Sequence, residues 1–107
     1  MTPRDRFKRA LERKPLEGRV PTFELVFFLT MEKFGRIHHS QRNFYQWDQM
    51  SESERILQRR DNADLSITIA REYGHSAIFA RPPVNDFDEM IRNFELIREQ
   101  SGDRYFL

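Results

Sequence analysis

Two charged side chains stand among apolar neighbours, where a bound molecule would find them. Glu24 lies in Val20-Pro21-Thr22-Phe23-Glu24-Leu25-Val26, between Phe23 and Leu25. A carboxylate in such a stretch is costly unless it is paired or solvated. Arg81 follows the short apolar run His75-Ser76-Ala77-Ile78-Phe79-Ala80. Either the two bind a polar or anionic substrate group, or Glu24 is a solvated strand-end residue and Arg81 a surface cation. The histidines offer less. Adjacent side chains such as His38 and His39 point different ways on a helix or strand and rarely share one ion, and no H-x-x-x-H is present. No metal site is expected. The chain has no Cys, which removes disulfides, thiolate zinc sites and Cys nucleophiles and fits a cytoplasmic protein. No Gly-rich phosphate loop and no nucleophile elbow occur, so a hydrolase triad has no support. Phe44-Tyr45-Gln46-Trp47 would line a ligand pocket, a dimer surface or the underside of a long loop.

The 107 residues suit one domain. Ten Phe residues need burial and argue against low-complexity disorder. A net charge of +1, with acids interleaved among the arginines, argues against generic nucleic-acid binding, which needs a clustered basic surface. The longest apolar stretch, Leu25-Val26-Phe27-Phe28-Leu29, is far short of the ~20 residues of a membrane helix. No nucleic-acid or membrane partner is expected.

Punctuation residues set out the elements. Thr2, Pro3 and Asp5 form a helix start, with a helix expected to about Arg13 and a stop at Pro15 and Gly18. Residues 20–26 read as a first strand, 29–34 as a short helix capped by Gly35, and 37–50 as a packed loop or helical turns. Ser51 with Glu54 is a capping box, and Gly74 a natural stop. Between them, Leu65-Ser66-Ile67-Thr68-Ile69 alternates as a strand would. Helical spacing of Ala63, Ile67 and Ala70, with no turn residue after Ile69, favours a helix. Residues 75–80 read as a second strand ended by Arg81-Pro82-Pro83. Asn85 is the expected cap of an amphipathic helix carrying Phe87, Met90, Ile91, Phe94 and Ile97, which Gly102 ends. Arg104-Tyr105-Phe106-Leu107 opens a third strand. Alternating strands and helices predict an α/β fold with a parallel sheet.

Met1-Thr2-Pro3-Arg4-Asp5-Arg6-Phe7 with Ala10-Leu11, and then Arg19-Val20-Pro21, resembles the start of the uroporphyrinogen decarboxylase-like superfamily. Tyr73-Gly74, Ala77-Ile78-Phe79 and Glu95-Leu96-Ile97-Arg98-Glu99 fit the same pattern. That superfamily contains the haem-pathway decarboxylase, corrinoid-dependent methyltransferases and members of unassigned function, all (β/α)8 TIM barrels preceded by helices. The resemblance implies that residues 1–107 are the N-terminal part of such a barrel, helices plus the first two to three parallel strands. The whole fold takes about 250 residues, so the resemblance also implies a fragment, inactive alone. The parent would be a decarboxylase-fold lyase or a methyltransferase. This chain would hold no cofactor, and a corrinoid or zinc would belong to the parent.

The decarboxylases carry two arginines after the first strand begins, and the matching positions here are Val26 and Thr30. Their Asp past the second strand is matched by Arg81. These departures point to the methyltransferase or unassigned branches. The zinc-binding His and Cys of the methyltransferases lie at positions beyond Leu107. Barrel active sites gather at the C-terminal ends of the strands, which is where the resemblance puts Glu24 and Arg81. It puts His75 at the opposite end. The rival expectation is a self-associating interaction module without catalysis, because an open sheet exposes unpaired edges. A homodimer or larger assembly is expected on either view.

Overall fold

The computed structural model describes residues 1–25, 27–38 and 44–107, with only the backbone of Phe44 and Tyr45. Among them the helices are α1 (Pro3–Leu11), α2 (Thr30–Phe34), α3 (Phe44–Gln49), α4 (Glu52–Tyr73) and α5 (Phe87–Ser101).

The helix ends follow local chemistry. Thr2 Oγ1 accepts from the Asp5 amide and the Asp5 carboxylate accepts from the Thr2 amide, a reciprocal box that starts α1. α1 stops at Leu11, short of Arg13, whose φ of +57° is incompatible with continuing the helix. Ser51 and Glu54 form the same box at α4. The cap of α5 is Asp86 rather than the expected Asn85: its carboxylate accepts from the Glu89 amide at 3.0 Å. The alternating run Leu65–Ile69 is helical and lies inside α4.

α4 packs against α5. Ala63 and Ala70 of α4 and Ile97 of α5 form the core together with Ile78 and Tyr105 from the segments that follow each helix. α4 also buries polar residues, namely Gln58, Arg59 and Asn62. That is why its apolar pattern is faint in the sequence: part of its buried face is hydrogen-bonded rather than oily.

The expected α/β fold does not form. Among the described residues there is no β-strand, and the parallel sheet and the TIM barrel are both replaced by a mainly helical fold. What remains of the three expected strands is a row of extended segments. The Ser76 amide donates to the Thr22 carbonyl at 2.8 Å, the Ile78 amide to Phe106 at 2.8 Å, and the Phe106 amide to Ser76 at 3.1 Å. A single parallel bridge pairs Ala77 with Phe106. One bridge is not a ladder. Pro21 lacks an amide to extend the pairing on one side and Pro82-Pro83 stop it on the other. Val20, Phe23 and Leu25 remain exposed.

Arginines hold the N-terminal third in place. Arg6 donates to the carbonyls of Glu17 and Arg19, and Arg9 to Pro15. Arg4 reaches Asp103 at 3.1 Å, while its amide donates to the Arg104 carbonyl. Phe7 lies between Phe23, which it meets edge-to-face, and Phe106, against which it is tilted.

Candidate functional site

Glu24 and Arg81 line the same pocket, together with Phe27, His38, Ser66 and His75. It is a small depression open to solvent. Its parts come from four places. Glu24 and Phe27 lie on the segment before α2, His38 on the segment after it, Ser66 on the middle of α4, and His75 and Arg81 on the connection from α4 to α5.

That connection is fixed at its start. Gly74 has a φ of +63°, in the left-handed region that ends a helix, and the His75 amide then folds back to the Ala70 carbonyl at 2.8 Å. Arg19 covers this corner: one guanidinium nitrogen donates to the Tyr73 carbonyl at 3.0 Å, to Gly74 at 2.7 Å and to Thr22 Oγ1 at 3.3 Å. The Arg19-Val20-Pro21 motif thus works here as a clamp on the C-terminal carbonyls of α4. His75 is buried and its ring stacks on Tyr73 at 6.0 Å. Burial pushes its imidazole below the ordinary value, Glu24 opposes the shift and Arg19 adds to it.

Arg81 and Glu24 are both exposed at the rim, and neither is in a salt bridge among the described residues. The Arg81 guanidinium lies over the Phe79 ring at 5.3 Å, an arrangement that orients the cation without neutralising it. Its backbone carbonyl accepts from Asn62 Nδ2 at 2.8 Å. The pocket therefore presents a cation, a carboxylate and an imidazole on apolar walls, with no salt bridge to Arg81 or Glu24 among the described residues. It can orient a small polar molecule and accept an anionic group at Arg81.

The two residues singled out from the sequence are brought together, and His75 joins them although its expected place was the far end of a strand. Pocket membership of His75 and Ser66 was not visible in the sequence, where nothing links them. The nearest signal is the Gly74 stop, which forces the next residue back against its own helix. His39 lies outside the described residues. No group of three or more His, Cys, Asp or Glu among the described residues could hold a metal ion, so these residues do not fit zinc. No family model matches the chain, and neither the curated proteins nor the solved structures contain a significant match. No described helix is long and apolar enough to cross a membrane.

Proposed function

We propose that this chain binds a small anionic organic molecule at Arg81, in the pocket that Glu24 and His75 also line, as part of a uroporphyrinogen decarboxylase-like enzyme. The parent chemistry is that of a lyase or a corrinoid-dependent methyltransferase, and the 107 residues alone do not turn over. The observation that carries the binding claim is the convergence of Glu24 and Arg81 on one pocket with His75. The kinship rests on the sequence motifs alone, and the described residues do not form the barrel of that superfamily. Citrate, titrated calorimetrically into the chain, is the test. A charge-assisted contact to Arg81 predicts roughly tenfold weaker binding in Arg81→Ala. Glu24→Gln removes a like charge and leaves citrate binding unchanged or tighter. Absence of binding, or equal affinity in Arg81→Ala, overturns the claim.

A second reading, a self-associating module, is favoured by the surface. Val20, Leu25, Phe28, Leu29 and Met31 are all more than half exposed. The chain exposes 7200 Å2, against about 6300 Å2 for a folded monomer of this mass. Its radius of gyration of 14.8 Å exceeds the ~13 Å of a compact chain this long. Light scattering at tens of micromolar separates the two: a homodimer supports the module, and a monodisperse monomer removes it.

A further inference from the structure

The Asn62 side chain reaches from α4 to the backbone of the pocket's cation. We propose that Asn62 is a positioning residue for Arg81: by holding the Arg81 carbonyl it sets the place from which the guanidinium meets an anionic ligand. The ligand part of this inference rests on the proposed anion-binding pocket.

Asn62 is 2% exposed. Its Nδ2 donates to the Arg81 carbonyl at 2.8 Å and to Asn93 Oδ1 at 3.2 Å. One amide thus ties the α4–α5 connection to both helices. Arg81 needs such a tie. Pro82 and Pro83 follow it and have no amides, so the chain beyond Arg81 cannot be held by backbone donors for two residues. Among the described residues the guanidinium rests on the face of the Phe79 ring, a weak and distance-dependent restraint. The same helix turn also reaches the pocket: Ser66 Oγ donates to the Asn62 carbonyl at 2.9 Å, and Ser66 lines the pocket. A buried amide with a good acceptor geometry is costly to leave unmet, so the Arg81 backbone has one favoured position.

Two measurements test this. The first needs no ligand. The Arg81 side-chain protons, held over the Phe79 ring, carry a ring-current shift in the proton NMR spectrum. Asn62→Ala should remove most of that shift, while Asn93→Ala, which loosens the same helix pair without touching the Arg81 carbonyl, should leave it. The second is a double-mutant cycle on citrate affinity. Asn62→Ala should weaken binding about tenfold when Arg81 is present and not at all in the Arg81→Ala background. If Asn62→Ala does not fold, Asn62→Ser, too short to reach the carbonyl, replaces it. An unchanged ring-current shift, an equal loss of shift in Asn93→Ala, or the same loss of affinity in both backgrounds overturns the proposal. A wild-type chain that fails to bind citrate removes the anion pocket alone, and the NMR comparison still decides whether Asn62 positions Arg81.

Discussion

Arg59 of α4 grips both carboxylate oxygens of Glu89 on α5, Nε to one at 2.9 Å and Nη2 to the other at 2.8 Å. The two side chains are 10% and 8% exposed, so this fork-to-fork pair is largely withdrawn from water. Glu52 takes a third nitrogen of the same guanidinium at 2.9 Å, and Arg92 adds a second cation to Glu89. Glu89, then Glu52, hold the Arg59 guanidinium above its ordinary value.

Such a pair is more expensive to break than to replace. Glu89→Ala leaves Arg59 buried without its main partner and should cost about 3 kcal/mol or more by guanidinium chloride denaturation. Replacing both at once, Arg59→Met with Glu89→Leu, should be near neutral. Equal losses in the single and the double variant would show that shape rather than charge matters there.

The corner at Gly74 gives a second prediction. A Cβ there would be forced into the left-handed region and would meet Arg19 Nη2 at 3.1 Å. Gly35 shares the positive φ, at +67°, but has open space around it. Gly74→Ala should therefore cost more than Gly35→Ala, for which backbone strain alone predicts about 1 kcal/mol. Removing the clamp in the double variant Gly74→Ala, Arg19→Ala should narrow that difference in urea midpoints.

His75 makes stability depend on pH. Its folded-state value lies below the ordinary 6.5, so the unfolded chain binds the proton more readily. Its contribution is complete above 6.5, declines as the pH drops below it, and is gone once the pH has passed the folded value. His75→Gln should flatten the slope of unfolding free energy just below pH 6.5. An unchanged slope would mean that the ring is as well hydrated as in the unfolded chain.

The capping boxes act at lower pH. The Ser51 amide and then its hydroxyl hold the Glu54 carboxyl below its ordinary value, and the Thr2 side chain does the same for Asp5. Both contributions are present above the unfolded value and are lost as the pH falls through the folded one. Glu54→Gln keeps an acceptor for the Ser51 amide but cannot titrate. Circular dichroism below pH 4.5 should therefore show less acid loss of α4 in this variant than in the native chain.

Which parts were legible follows from where each signal lives. Ser51, Glu54 and Gly74 act within a few residues of themselves, so both ends of α4 could be read directly. Asp86 displaced Asn85 by one position because both are good caps and only the approach of the Glu89 amide decides between them. Residues 20–25 and 75–80 have strand composition, but a strand exists only against a neighbour. Here the neighbours meet at Thr22, Ala77 and Phe106 and no further. The pocket was half legible. Glu24 and Arg81 stood out as charges in apolar runs, whereas His75 and Asn62 owe their places to the turn at Gly74 and to the packing of α4 on α5.

The link from Arg4 to Asp103 spans 99 positions, and this orders events in time. Every member of the core cluster lies between Ala63 and Tyr105, whereas α1 buries none of its own residues. Closing so long a loop is entropically costly before its contacts repay it. On a ribosome α1 therefore emerges well before the segment it docks against, and the face of Phe7 that meets Phe106 waits uncovered until Phe106 has been made.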